Sequence, residues 1–204
     1  MTLSHDPHWL RAGNWLTEVS QADFAIVGVG ASKSALTPNN AHSTPAAVRS
    51  ALLRYSTWSS STKVDLADSL KGGDFGDVKS PDDQEATVSE LSILLNKTKT
   101  LVLIGGDNSI TYSGVLALAK KNDMKEIGVI TLDAHHDLRD GKSNGSPIKQ
   151  LIDKRKMSRR RSLDYAFSDN KTLNAVGKQG LGRVLDRKST RLNSSHLGIS
   201  YAVF

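Results

Sequence analysis

The sequence contains no cysteine among its 204 residues, so it has neither a disulfide framework nor a thiol nucleophile, and a reducing compartment suits it. No apolar run approaches the roughly 20 residues that a membrane-spanning helix needs. The first residues lack the basic start and the apolar centre of a secretory signal. These absences predict a soluble cytoplasmic protein, and the length suits one domain with a sizeable core.

Positive charge is unevenly distributed along the chain. Residues 1–150 contain 15 Lys and Arg against 17 Asp and Glu, whereas residues 151–204 contain 12 against 4. The excess includes two basic runs, at 154–156 and 159–161, whose composition resembles a nucleic-acid patch. Because these runs have no interleaved aromatics and no zinc-ligand spacing, a solvated helix end and loop is the preferred interpretation, and no nucleic-acid partner is expected.

Apolar runs alternate with amphipathic stretches along the first 150 residues. Buried strands are predicted at 22–29, 100–104 and 127–132, with a weaker strand between 64 and 78 that a glycine-rich loop at 72–77 interrupts. Strands that alternate with helices indicate an α/β fold with a mainly parallel central sheet covered on both faces, which is a three-layer α/β/α arrangement.

Capping residues and prolines mark the predicted helix starts. Thr44 and Ser146 can each cap a helix, since each is followed by a proline that suits the first helical position. Asp82 is expected to cap a third helix, and a fourth helix is predicted from about 109 to 121. Trp58 is expected to pack at the end of the first of these helices.

Metal-ligating side chains follow the third predicted strand directly. Asp133, His135 and Asp137 alternate with other residues after the run at 127–132, so they can converge on one side while the backbone stays extended. Carboxylate and imidazole together suit Mn²⁺, Fe²⁺ or Zn²⁺ better than Ca²⁺. The alternative is that these are solvated loop residues.

A second polar stretch, Gly-Gly-Asp-Asn-Ser at 105–109, follows the strand at 100–104. In parallel sheets the chemistry lies beyond the carboxyl ends of the strands. Both this stretch and the one at 133–146 have that position. An active site formed jointly by the two stretches is therefore expected.

Together the two stretches resemble the motifs of the ureohydrolases, which include arginase, agmatinase and formimidoylglutamase. Gly-Gly-Asp-Asn-Ser at 105–109 and Asp-Ala-His-His-Asp at 133–137 carry the resemblance. Three further segments also fit: 22–23, 45–49 and 76–77. The sequence from 133 to 147 looks most like the formimidoylglutamase branch, and the resemblance covers residues 20–155.

The resemblance implies an arginase-like fold and a metal-dependent hydrolase. Members of the family bind two Mn²⁺ ions that hold a bridging hydroxide, which is a strong nucleophile near neutral pH and attacks an amidine or guanidine carbon. The implied reaction converts N-formimidoyl-L-glutamate to L-glutamate and formamide in histidine degradation, with an arginase-type or agmatinase-type guanidino hydrolase as the alternative. The intact parent is expected to be a homo-oligomer that acts on a small molecule bearing a carboxylate.

By position, Asp133, His135 and Asp137 match the family's metal ligands and are the implied catalytic residues. Asp107 matches an acid that orients the site. Asn108 stands where the family has its first ligand histidine, and an amide oxygen is a weaker ligand for Mn²⁺ than imidazole. The asparagine leaves open the alternative of a ureohydrolase-like protein that binds or assembles without catalysis.

Three residues after this motif are candidates for substrate binding. Arg139 lies where the family's substrate-contacting loop begins, and its guanidinium can pair with a substrate carboxylate or be a solvated surface group. Ser143 and Asn144 can hydrogen-bond to the substrate. Equally, they can serve only to form the turn that Gly145 permits.

The family's late Asp-x-Asp motif, which supplies two further ligands, does not occur after Asp137, so a binuclear centre would be incomplete. Residues 186–204 resemble the translation of a sequencing adapter. We therefore expect a partial ureohydrolase domain at 1–185, truncated at its C-terminus, followed by a non-native tail at 186–204. The chain on its own is accordingly expected to be inactive.

Overall fold

The computed structural model describes residues 9–123, 127–133 and 135–154, together with the backbone of residues 162–165. The helices are α1 (Ala12–Trp15), α2 (Thr44–Leu52), α3 (Leu66–Ser69), α4 (Gln84–Leu94), α5 (Ile110–Lys121) and α6 (Pro147–Asp153). The strands are β1 (Ala22–Val29), β2 (Trp58–Ser59), β3 (Val64–Asp65), β4 (Gly72–Asp77), β5 (Thr98–Gly105), β6 (Val129–Leu132) and β7 (Ser162–Tyr165). The strands expected at 22–29, 100–104 and 127–132 are all present as β1, β5 and β6.

The central sheet is parallel, as predicted. β1 pairs with β4 along one edge and with β5 along the other, in the order β4–β1–β5. Val29 at the end of β1 is paired with Gly105 at the end of β5. β6 pairs in parallel with β7, and β2 and β3 form a short antiparallel pair. The residues that follow β1 and β5 therefore emerge side by side.

Helices cover both faces of the central sheet, which confirms the three-layer α/β/α arrangement. One buried cluster combines alternate residues of β1 with inward residues of α4 and α5, and it includes Ala25, Val27, Val29, Val88, Leu91 and Ala117. On the opposite face, the Trp15 ring of α1 stacks on Phe24, with the ring centroids 6.4 Å apart. Gly28 lies there against Pro45 of α2.

The strand β6 is buried on one face only. Val129 belongs to a second cluster with residues of α5 and α6, which includes Tyr112, Val115, Ile148 and Leu151. Ile130 and Leu132 point to the other face and are 60% and 55% exposed. Because successive side chains of a strand alternate between faces, the prediction of a fully buried strand was wrong for these two residues.

Asp83, and not Asp82, caps α4. The side chain of Asp83 accepts hydrogen bonds from the first backbone N–H groups of the helix. Asp82 instead accepts from the backbone N–H groups of Ser32 and Lys33, each at 2.8 Å. The predicted cap was wrong by one residue because a contact with a distant loop occupies Asp82.

Proline marked the other two helix starts correctly, although the expected hydroxyl caps are absent from them. Both α2 and α6 have a proline in the first turn. Thr44 lies inside α2, and Ser146 makes no side-chain cap hydrogen bond to α6. Proline, with its fixed φ, therefore indicated these helix starts better than the capping hydroxyl groups did.

Two expectations about the region between α2 and α4 were wrong. Trp58 is 53% exposed on the short β2 strand and does not pack as a core residue. The segment predicted as a glycine-rich loop at 72–77 is the edge strand β4. Gly72 suits this strand because a Cβ there would lie 2.6 Å from the Trp15 ring.

None of the described helices is both long and apolar enough to cross a membrane. The basic residues at 155–161 and the tail predicted at 186–204 lie outside the described residues, so the predictions made for them stay predictions. Ala134 is outside them as well.

Candidate functional site

Three loops meet beyond the carboxyl ends of the parallel strands. They are the β1 exit loop (residues 30–36), the β5 exit loop (residues 105–109) and the β6 exit loop (residues 133–146). Hydrogen bonds join the β5 exit loop to each of the other two. The sequence predicted the β5 and β6 exit loops as the site and did not single out the β1 exit loop.

Glycine allows the β1 and β5 exit loops to approach closely. The N–H of Gly106 donates to the carbonyl of Val29 at 3.1 Å, and the N–H of Asp107 donates to the carbonyl of Ala31 at 2.7 Å. A Cβ on Gly106 would lie 2.1 Å from the Ala31 carbonyl oxygen. Any other residue at position 106 would therefore force the two loops apart.

Asp107 is buried and held by hydroxyl and amide donors. Its carboxylate accepts from the backbone N–H of Ser109 at 3.0 Å and from the Ser109 hydroxyl at 2.5 Å. The hydroxyl of Ser34, in the β1 exit loop, donates to its other oxygen at 3.0 Å. These bonds fix the carboxylate between two loops, which suits the predicted role of Asp107 in orienting the site.

Asn108 connects the β5 and β6 exit loops. Its Nδ2 donates to Oδ2 of Asp137 at 2.6 Å and to the carbonyl of Asn144 at 3.3 Å, while its Oδ1 accepts from the Thr111 hydroxyl at 2.8 Å. Because a carbonyl oxygen can only accept, the amide nitrogen must face Asn144. The atom that Asn108 directs to Asp137 is therefore a donor, and the oxygen that could ligate a metal faces Thr111.

Asp137 adopts an unusual backbone conformation. Its φ is 53°, in the left-handed region that aspartate tolerates better than most residues. Its carbonyl accepts from the N–H of Lys149 at 3.1 Å, and the residue is buried. The β6 exit loop thus turns sharply at Asp137 and holds the carboxylate beside Asn108.

Asp133 and His135 form a second pair. Oδ1 of Asp133 accepts from the backbone N–H of His135 at 2.9 Å and lies 3.1 Å from its Nδ1. The Asp133 side chain is 14% exposed and the His135 side chain is 77% exposed. The neighbouring His136 is buried instead. Asp133 and His135 are therefore close enough to contact one ion, at a solvent-facing position.

The described residues do not form a complete metal site. The predicted ligands are two carboxylates and an imidazole, a donor set that suits Mn²⁺. Within the described ranges, however, no three His, Asp or Glu side chains are placed to hold one ion. The four side chains form two separate hydrogen-bonded pairs instead. Asp133 accepts from His135, and Asn108 donates to Asp137.

Arg139 lies across Gly145. The two residues are joined by a hydrogen bond from the N–H of Arg139 to the carbonyl of Gly145, at 3.1 Å. A Cβ on Gly145 would lie 2.9 Å from Cδ and 3.3 Å from Nε of Arg139. The arginine is exposed, so its guanidinium is accessible to a ligand.

Ser143 and Asn144 are engaged by the protein itself. The hydroxyl of Ser143 accepts from the N–H of Gly145 at 3.3 Å. Asn144 donates its N–H to the carbonyl of Ser34 at 3.0 Å, and its Oδ1 accepts from the N–H of Leu36 at 3.3 Å. The Ser143 contact is one of a turn, whereas the Asn144 contacts reach the β1 exit loop. The use of these two residues in substrate binding stays a prediction.

Sequence reasoning missed Ser34 and Leu36. Both lie in a small polar loop directly after β1, the same position relative to a parallel strand that identified the other two loops. The strand-end rule applied to β1 would have found them. They were passed over because the loop carries no carboxylate or imidazole.

Comparison with known proteins supports the relationship suggested by the motifs. The sequence profile of the Arginase family matches residues 22–195. Formimidoylglutamase from Halalkalibacterium halodurans is 34% identical over 142 residues, covering 64% of this chain and 43% of that protein. Formimidoylglutamase from Bacillus subtilis is 33% identical over 143 residues, covering 63% and 43%. The chain thus spans less than half the length of these curated relatives.

Solved structures have the same fold. The crystal structure of Bacillus subtilis formimidoylglutamase aligns with a TM-score of 0.75 at 23% identity, covering 89% of this chain and 61% of that one. Trypanosoma cruzi formiminoglutamase with Mn²⁺ aligns with a TM-score of 0.74 at 23% identity, covering 87% and 65%. At these identities the likeness is one of fold.

Proposed function

Because the chain belongs to the arginase family, we propose that its parent protein is a hydrolase that cleaves a C–N bond of a linear amidine. N-formimidoyl-L-glutamate is the proposed substrate, and L-glutamate and formamide are the products, as a step of histidine degradation. This choice is supported by the sequence similarity to two curated formimidoylglutamases, which are 34% and 33% identical to this chain over 142 and 143 residues.

The observation that carries the proposal is the contact between Asn108 and Asp137, at 2.6 Å. It brings together the two stretches that carry the family motifs, although 29 positions separate them in the sequence. They meet beyond the carboxyl ends of parallel strands, where α/β folds bind their ligands.

Asp133, His135 and Asp137 are the proposed metal ligands and catalytic residues, and Asp107 is the proposed orienting acid. The proposed cofactor is Mn²⁺, which when bound would act as a Lewis acid and lower the pKa of water at the site. The described residues do not complete the ligand set. The remaining ligands must therefore come from elsewhere in the parent protein.

Arg139 is the proposed contact for the substrate carboxylate. Its guanidinium is exposed, always charged, and shaped for two parallel hydrogen bonds to a carboxylate. The backbone bond to Gly145 and the contact of its side chain with that glycine hold it at the edge of the site. A substrate without a carboxylate would lose this interaction.

The test is an assay of the full-length parent with Mn²⁺, in which formamide release is followed for N-formimidoyl-L-glutamate, and urea release for arginine and agmatine. We expect turnover of the formimino substrate and little of agmatine, which has no carboxylate. Arg139→Gln should raise KM for N-formimidoyl-L-glutamate more than it lowers kcat. A manganese-loaded parent that turns over none of these compounds would contradict the proposal.

A non-catalytic role is the second candidate, and the orientation of Asn108 favours it. The amide nitrogen that faces Asp137 has no lone pair for a metal. Metal analysis of the folded parent separates the two functions, because a parent that folds normally and retains no Mn²⁺ supports a binding or assembly role. Asn108→His should raise the metal content, and an unchanged content would argue that Asn108 is not at the metal site.

A further inference from the structure

Asn144 uses three of its polar groups inside the protein. Its N–H donates to the carbonyl of Ser34 at 3.0 Å, and its Oδ1 accepts from the N–H of Leu36 at 3.3 Å. Its own carbonyl accepts from Nδ2 of Asn108 at 3.3 Å. Asn144 therefore joins all three loops of the site.

The orientation of the Asn144 side chain follows from its partner. A backbone N–H can only donate, so the amide atom that faces Leu36 must be the oxygen. The side chain thus acts as an acceptor in this contact. This is a property that an aspartate shares and an alanine lacks.

The loop to which Asn144 is bound is itself anchored by two other side chains. Asp82 accepts from the N–H groups of Ser32 and Lys33, each at 2.8 Å. The Ser34 hydroxyl donates to the buried carboxylate of Asp107 at 3.0 Å. Residues 32–34 are therefore held by contacts other than those with Asn144, and the β6 exit loop can pack against them.

We propose that Asn144 is a positioning residue, which holds residues 143–145 against the β1 exit loop and so fixes the surface of Gly145 on which Arg139 lies. The inference rests on the proposed function, since it takes Arg139 as the group that binds the substrate carboxylate. Asn144 then acts on the substrate through Arg139. Its Oδ1 contact with Leu36 carries this role.

Two substitutions separate positioning from direct substrate binding in the full-length parent. Asn144→Asp keeps an oxygen acceptor for the N–H of Leu36, whereas Asn144→Ala removes it. If Asn144 positions the loop, the alanine variant should raise KM for N-formimidoyl-L-glutamate about three- to tenfold, as the loss of one hydrogen bond predicts, and the aspartate variant should raise it less. If the Asn144 amide donates to the substrate carboxylate, the aspartate variant should be the worse of the two.

Hydrogen exchange at the Leu36 amide gives a readout that needs no turnover. Asn144→Ala should speed this exchange severalfold, and Asn144→Asp should leave it close to that of the parent. Asn96→Ala is the control, because Asn96 is exposed and precedes β5, at the amino ends of the strands and away from the three loops. This variant should change neither the exchange at Leu36 nor the KM.

The two measurements keep the two proposals apart. A parent without turnover contradicts the proposed function, and the exchange at Leu36 then still decides whether Asn144 holds the loop. Unchanged exchange in the alanine variant, or a higher KM for the aspartate variant than for the alanine variant, would overturn the positioning role.

Discussion

Arg49 of α2 donates two hydrogen bonds to Asp74 of β4, from Nε at 2.6 Å and from Nη2 at 2.9 Å. Nη1 also donates to Asp77 at 2.6 Å, and Nη2 to the carbonyl of Gly76 at 2.8 Å. The bond to Asp74 raises the pKa of Arg49 above its ordinary value. The arginine thereby attaches the helix on one face of the sheet to the edge strand.

Arg49→Lys should lower the free energy of unfolding by about 1–2 kcal/mol, because a lysine cannot form the two parallel bonds to Asp74. Asp77→Asn should change it by less than about 0.5 kcal/mol, since the Asp77 side chain is 61% exposed against 19% for Asp74. Urea unfolding of the three chains measures both effects. Equal stability of Arg49→Lys and the original chain would show that the fork geometry contributes nothing.

The local sequence predicted those parts of the fold that apolar runs or prolines determine. The run at 22–29 became β1 with the same bounds, and the proline at 147 begins α6. The cap of α4 was not predictable in this way, because Asp82 and Asp83 are chemically identical. The choice between them depends on the N–H groups of Ser32 and Lys33, which lie 50 and 49 positions away from Asp82.

Gly106→Ala should destabilise the chain by about 1–3 kcal/mol or more, because the new Cβ would lie 2.1 Å from the Ala31 carbonyl oxygen and the backbone would have to shift. Gly128→Ala is the matched control, since a Cβ there meets nothing within 4 Å. The midpoint of urea unfolding should fall for the first variant and stay within error for the second. A loss of similar size in both variants would refute the steric explanation.

The strand-end rule predicted that the β5 and β6 exit loops meet, whereas the individual contacts between them were not predictable. Residues 105–109 and 133–146 meet as expected. The direction of the Asn108 amide, however, depends on acceptors at Asp137 and Asn144, which only the folded chain brings near. A sequence can show that position 108 is an asparagine without showing which of its amide atoms faces Asp137.

Leu91→Ala should lower the free energy of unfolding by about 2–5 kcal/mol, as for other fully buried leucines. Leu91 of α4 is completely buried in the cluster between helix and sheet. Ile93→Ala, two residues later on the same helix, should cost less than about 0.5 kcal/mol, since that side chain is largely exposed. Helix propensity changes in the same direction in both variants. Urea unfolding that shows equal losses would contradict the assignment of the buried face.

Asp23 should titrate at an unusually low pH. Lys99 donates to its Oδ1 at 2.7 Å, and the backbone N–H of Lys71 donates to its Oδ2 at 3.0 Å. Both bonds lower the pKa of Asp23, and the bond from Lys99 is the largest cause. A carboxyl whose folded pKa is lowered stabilises the fold above its unfolded pKa. This contribution is lost as the pH falls through the folded pKa.

Lys99→Gln should therefore raise the pKa of Asp23 towards the ordinary value for aspartate. NMR titration of the Asp23 carboxyl group measures this change. The rise should be partial, because the N–H of Lys71 still binds the carboxylate. Lys97→Gln removes a lysine that is not among the causes of the lowered pKa and should leave the titration unchanged. Since Lys99 is 83% exposed, added salt should weaken its effect in the original chain. If the Asp23 titration is the same with and without Lys99, the ion pair seen in the structure does not set its acidity.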